Sequence, residues 1–263
     1  MRTVKFELLR PDEIQDEKKR CPVVYFPLSP LEWHGPHLPL GTDPLNAEAV
    51  AVRLAERNGG VVMPAFFWGT ERERDPGMLK NIGFSGDEWI VGMDFPANSM
   101  PSLYASEEVF GIAVREYLRL LAVQGYKLIV IVNGHGGENH INVLQRLARE
   151  FTETTDSVAL YTFATYTMEE DKHDLGHATR IETDIMLSLY PDSVDLGTLP
   201  PKDEKIYNLD YAVVDGKTFE GNPNQDFSVD HDPRYADGQR GGDIIQHSVD
   251  VISGKLKQYL PSG

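Results

Sequence analysis

Glu32, His34 and Asp43 fall within one short stretch, Leu31-Glu32-Trp33-His34-Gly35-Pro36-His37-Leu38-Pro39-Leu40-Gly41-Thr42-Asp43. Glu32 and His34 are two apart, and in extended backbone such side chains point the same way. A carboxylate and an imidazole side by side at a strand end suit a metal ion. A second imidazole, His135, sits in the glycine-rich run Asn133-Gly134-His135-Gly136-Gly137-Glu138-Asn139. His177 and Glu182 form a third pair. Each signal has a bland alternative. Asp43 could cap a helix that opens at Pro44, a lone histidine beyond a strand could be structural, and His177 and Glu182 could be surface residues. Three such sites, each carrying histidine and carboxylate, make one shared centre the better reading.

The ligand types set the chemistry. Carboxylates and imidazoles without thiolates suit Zn²⁺, Mn²⁺ or Fe²⁺. Two histidines and three acids exceed the three protein ligands usual for one catalytic zinc. They suit two divalent ions per chain with one carboxylate bridging. Two ions roughly 3.5–4 Å apart share a water, lower its pKa and stabilise a tetrahedral oxyanion. The expected chemistry is hydrolysis through a hydroxide bridging the ions.

The elements that must position these residues follow from periodicity. Residues 22–28 read as a buried strand, 45–57 as a helix closed by Gly59-Gly60, and 61–64 as a second strand. Strand, helix, strand is the sign of a parallel sheet. Residues 68–104 are irregular, and a long loop in a compact domain is usually functional. A helix is expected over 106–122, with Val109, Ile112, Ala113, Leu120 and Leu121 on its apolar stripe. The run 127–132 reads as the clearest buried strand and delivers His135 at its carboxyl end, where ligands bind in open α/β sheets. A helix to about residue 151, a strand over 158–163, a short helix over 183–189, a loop over 200–243 and a last helix over 243–260 complete the chain. A short helix is expected near Pro11-Asp12-Glu13. No repeat or linker interrupts it, so residues 1–263 are expected to form a single domain.

Composition narrows the function classes. A net charge of -16 argues against a nucleic-acid partner, which needs a basic face. Cys21 is the lone cysteine, so no intrachain disulfide forms and a reducing compartment fits. The first residues lack an apolar signal core. No apolar run approaches the roughly 18 residues that span a bilayer. A cytoplasmic protein without a membrane partner is expected.

The first stretch resembles the Glu-x-His-Gly-Pro-His-Leu-Pro-Leu-Gly-Thr-Asp signature of the creatininase (creatinine amidohydrolase) family. Asn133-Gly134-His135-Gly136-Gly137 resembles that family's second motif, and His177 with Glu182-Thr183 its third. Asp232-Pro233-Arg234-Tyr235-Ala236 resembles its C-terminal segment, so the likeness runs from about residue 20 to 255. The resemblance implies a creatininase-like α/β fold, three layers with a mainly parallel central sheet flanked by helices. It implies two divalent metals, hydrolysis of a C–N bond other than a peptide bond, and a homo-oligomer, often a hexamer. By motif, Glu32 and His135 would hold one ion, His34 the other, and Asp43 would bridge. Glu138 and Glu182 are both carried as the fifth ligand, Glu138 also as a catalytic residue. His177 matches the catalytic histidine, a proton shuttle to the leaving nitrogen.

Departures bear on the substrate. His173 stands where creatininase has a tryptophan before its third motif, and the strand from residue 158 carries Phe163 and Tyr166 but no tryptophan. Arg180 stands where many relatives have glutamate and could meet an anionic group. The expected substrate is therefore a small amide, formamide or cyclic amide metabolite other than creatinine. Creatinine amidohydrolase proper, another metal-dependent hydrolase or lyase, and a non-catalytic metal-binding regulator remain the alternatives.

Overall fold

Strand β1, Val23–Leu28, is buried at every position, as a strand covered on both faces must be. In the computed structural model, which describes residues 2–81, 83–94, 100–168, 177–209, 212–214 and 229–260, it follows helix α1, Pro11–Arg20. Helix α2, Thr42–Asn58, leads to the two-residue strand β2, Val61–Val62. Helix α3, Pro76–Asn81, interrupts the irregular segment. Helix α4, Glu107–Val123, then leads to strand β3, Leu128–Asn133, also buried throughout. Helix α5, Glu138–Thr154, precedes strand β4, Val158–Phe163. Helix α6, Arg180–Leu189, is followed by a small antiparallel pair, β5, Tyr207–Leu209, and β6, Ala212–Val214, then by the last helix, α7, Gly238–Leu256.

The central sheet has the order β2-β1-β3-β4 and is parallel throughout. Alternate residues of its strands feed two cores. Val23 and Tyr25 with Val130 and Val132 meet α2, α6 and α7, whereas Val24, Phe26 and Leu28 with Ile129 and Ile131 meet α4 and α5. The result is the expected α/β sandwich of helices, sheet and helices. Leu28 pairs with Asn133, so the loops leaving β1 and β3 emerge side by side at the carboxyl edge of the sheet.

Several details differ from the sequence expectation. Helix α2 opens at Thr42 with Gly41 at its cap and no side-chain cap bond, so Asp43 is not the cap. Helix α4 buries Phe110, Val114, Leu118 and Leu121, while Val109, Ile112 and Leu120 of the expected stripe face outward. The apolar residues of α4 run on both faces, so the expected stripe combined the buried Leu121 with residues of the outward face. Helix α6 starts at Arg180 rather than residue 183, which puts Glu182 in its first turn. Helix α7 starts at Gly238 because Asp237 accepts from the amide of Gln239. The β5–β6 pair lies in the stretch expected to be loop. His173 lies outside the described residues. No helix among the described residues is long and apolar enough to cross a membrane.

Candidate metal centre

Two backbone features fold the first motif onto itself. The amide of Glu32 donates to the carbonyl of Leu40 at 3.0 Å. The first turn of α2 brings Asp43 round beneath His34. The β3 loop must then pass close by. Gly134 lies against the backbone of Asp43, where a Cβ would collide with the Asp43 carbonyl. Asn133 fixes the loop, accepting from the His135 amide at 3.0 Å and donating to its carbonyl at 2.7 Å. At the start of α6, Ala178 has a positive φ of 60°, a costly conformation for a residue with a Cβ. The turn there lets its amide donate to Glu182 Oε2 at 2.6 Å.

The motif residues converge. Asp43 Oδ1 is 3.1 Å from His34 Nε2, and Asp43 Oδ2 is 3.1 Å from His135 Nδ1. Glu32 Oε2 is 3.1 Å from His135 Nδ1 and 3.9 Å from His34 Nε2. Glu182 Oε1 is 3.8 Å from His34 Nε2. His177 Nδ1 is 3.8 Å from Glu32 Oε2, and its Nε2 donates to the carbonyl of Trp33 at 2.5 Å. The rings of His34 and His177 lie 4.1 Å apart. Ligand atoms gather in three groups, each within 4.8 Å: Glu32, Asp43 and His135; His34, Asp43 and Glu182; and Glu32, His34 and His177. Asp43 is common to the first two. Glu138 belongs to none of them; it opens α5 with its side chain exposed. Arg180 begins α6, with its Nε 4.0 Å from Asp184 of the same helix.

The electrostatics fit a cation site. Glu32, His34, Asp43 and His135 are almost wholly buried, and buried carboxylates need compensating charge. Burial pushes Glu32 up, but the charges of His135 and His177 and a hydrogen bond from His135 outweigh it and hold Glu32 at about 2. Burial also opposes the charge on His34, yet Asp43 and Glu182 raise it to about 10. Asp43 is held well below the carboxylate range, despite burial, by His34 and His135. Glu182 is pushed up to about 7, first by burial, against the opposing charge of His34. His177 is lowered to about 4 by burial and then by the His34 charge. Donor geometry makes the same point. His34 Nδ1 is 3.0 Å from the Glu32 carbonyl, which can only accept, so Nδ1 carries a proton. Nε2 then faces three carboxylates, a contact that needs a second proton or a metal cation between the lone pairs. The donor set, imidazole and carboxylate without thiolate, fits Zn²⁺, Mn²⁺ or Fe²⁺.

Two contributors were not singled out in the sequence. Tyr104 donates to Glu32 Oε1 at 2.6 Å, and Glu71 Oε2 lies 3.3 Å from His135 Nε2. Both come from residues 68–104, and the length of that irregular segment was the only signal for them.

Comparison with known proteins agrees with the geometry. The family model described as "Creatininase: Creatinine amidohydrolase" matches residues 7–256. Creatinine amidohydrolase of Pseudomonas putida is 27% identical over 206 residues, covering 69% of this chain and 72% of that one. Mycofactocin precursor peptide peptidase of Mycolicibacterium smegmatis is 29% identical over 256 residues, covering 91% and 86%. A solved creatininase structure superposes with a TM-score of 0.68 at 22% identity over the whole of both chains, and a creatininase Mn structure with 0.66 at 22% over 99% and 100%. With its motifs brought together at one edge of the sheet and the match extending over nearly its whole length, the chain belongs to the creatininase family of hydrolases.

Proposed function

We propose that residues 1–263 form one dinuclear, divalent-metal-dependent amidohydrolase that cleaves the C–N bond of a small amide, formamide or cyclic amide. The observation that carries this reading is Asp43, whose two oxygens each stand 3.1 Å from a different buried histidine. Glu32 and His135 would hold one ion, His34 and Glu182 the other, and Asp43 both. The ions are Zn²⁺, Mn²⁺ or Fe²⁺ by donor type, and the matched Mn structure of creatininase supports manganese among them. When bound, such ions supply a water of lowered pKa and positive charge where the amide oxygen becomes negative.

The chain's own groups do the rest. The hydrogen bond from Tyr104 occupies Glu32 Oε1 and leaves Oε2 to face His135. The Ala178 amide likewise holds Glu182 Oε2 and leaves Oε1 towards His34. His177 donates through Nε2 to Trp33, so its Nδ1 lone pair is the one on the Glu32 side. A pKa of about 4 keeps that nitrogen neutral at pH 7 and able to take a proton from the attacking water. It then returns the proton to the leaving nitrogen, which departs poorly as an anion.

A panel of amides, formamides and cyclic amides assayed with Zn-, Mn- and Fe-reconstituted protein tests this. Turnover that a chelator abolishes and metal restores is expected. Absence of turnover across the panel with every metal would favour a non-catalytic regulator. The peptidase relative gives a specific second reading, hydrolysis of a short peptide, so short peptides belong in the same panel. We place the protein in the cytoplasm and assign it a homo-oligomeric state. The exposed Val109, Ile112, Leu120 and Val123 of α4 support association.

A further inference from the structure

His135 is buried, with only 3% of its surface exposed. Its Nδ1 faces Glu32 and Asp43, but its Nε2 has no aligned hydrogen bond. The acceptor within reach is Glu71 Oε2 at 3.3 Å. Two further features bring that carboxylate there.

The first is an anchored loop. Gly69 pairs with Tyr104, and its carbonyl accepts from the amide of Ala105 at 2.8 Å. Next along, the Thr70 amide donates to His140 Nδ1 at 3.3 Å. An accepting Nδ1 puts the His140 proton on Nε2, which lies 3.1 Å from Asn133 Oδ1. That same oxygen accepts from the His135 amide. His140 is fully buried, stacks on Phe110 at 4.7 Å and meets His135 edge-on at 5.1 Å. One imidazole therefore ties the backbone just before Glu71 to the backbone of His135.

The second feature is vacant space. Gly137 has no side chain, and a Cβ there would collide with Glu71 Oε2 and stand 2.5 Å from His135 Nε2. The missing side chain is what admits the Glu71 carboxylate.

We propose that Glu71 is the outer carboxylate of the centre: it accepts the Nε2–H of His135 and so leaves Nδ1 bare towards Glu32 and Asp43. This rests on the metal-dependent reading above. Glu71 is a positioning residue acting through His135. A carboxylate on the far nitrogen fixes the tautomer and ring orientation of a metal-binding histidine and raises its basicity, and removing it typically weakens the metal about 10–100-fold.

The test uses full-length wild type, Glu71→Ala and Glu71→Gln. Zinc count and zinc affinity are measured by competition with a chelator, the Tm of each metal-free protein reports folding, and ¹⁵N-histidine NMR follows the imidazole N–H signals. All three proteins should bind two ions. Glu71→Ala should hold one of them about 10–100-fold more weakly. Glu71→Gln keeps a neutral acceptor of the same size, so its affinity should fall between, and one downfield imidazole N–H resonance should move upfield in step. If Glu71→Ala fails to fold, the affinity and resonance of Glu71→Gln decide alone. Unchanged zinc affinity and an unmoved resonance in the folded variants would overturn the proposal. So would a count of one ion, which would make Glu71 a direct ligand. A wild type that binds no ion would defeat the metal-dependent reading itself, a different result from a wild type that binds two ions with variants indistinguishable from it.

Discussion

Asp43 Oδ1 lies 3.1 Å from His34 Nε2, although the two residues leave different turns of the chain. The other oxygen, Oδ2, stands at the same distance from His135 Nδ1, on the loop after β3. A single carboxylate thus spans two imidazoles from two strand ends. Helix capping does not explain it, because the side chain makes no cap bond.

His177 is expected to act on protons and not to hold metal. His177→Ala should keep both ions and its fold while kcat falls by about 10²–10⁴-fold. The loss should shrink for substrates whose leaving amine is more acidic. Steady-state kinetics over a leaving-group series, with metal analysis alongside, checks this. Equal loss on every substrate, or loss of metal, would remove the role.

The fifth ligand is expected to be Glu182. Its Oε1 lies 3.8 Å from His34 Nε2, whereas Glu138 is exposed at the start of α5. Glu182→Gln should lose one ion per chain, with Glu138→Gln keeping both. Elemental analysis of the two variants decides, and the opposite pattern would exchange the assignments.

Glu182 also gives the metal-free protein a pH signature. Its folded pKa of about 7 is above the ordinary 4.5, with burial as the main cause. Between those values the folded protein keeps a proton that the unfolded chain has released. The metal-free fold therefore loses stability as pH rises through that window. Glu182→Gln cannot ionise, so relative to wild type it should gain on the order of 1–3 kcal/mol in going from pH 5 to pH 8. Urea unfolding at the two pH values measures this. A difference of zero or of opposite sign would contradict the burial of that carboxyl.

Creatinine is expected to be a poor substrate. The segment after residue 158 carries Phe163 and Tyr166 but no tryptophan, and the Tyr166 hydroxyl is engaged by Thr162 and Lys255. Each lost stacking surface is worth about 0.5–1.5 kcal/mol. kcat/KM for creatinine should fall at least about tenfold below the best amide. Comparable values would refute this.

The parallel sheet and the convergence of the motif residues at its edge were legible for physical reasons. The fully buried runs of β1 and β3 have no polar alternation to confuse them, and the motif places Glu32, His34, Asp43 and His135 beside their carboxyl ends. Glu71 and Tyr104 were not legible. They reach the site by long-range pairing of Gly69 with Tyr104, and local periodicity carries no record of such a contact. The choice between Glu138 and Glu182 was open for a related reason, since it depends on where α5 and α6 begin. Helix starts are set by caps and tertiary contacts, and Glu182 entered a first turn only because α6 opens at Arg180.

Metal content of wild type and Asp43→Ala, after zinc reconstitution and removal of free metal, tests the central claim most directly. The account predicts two ions per wild-type chain and none in the folded variant, because both sites share that carboxylate. One ion or none in the wild type would contradict it. So would an Asp43→Ala protein that keeps both ions and loses only the roughly 1 kcal/mol of a helix-terminus contact.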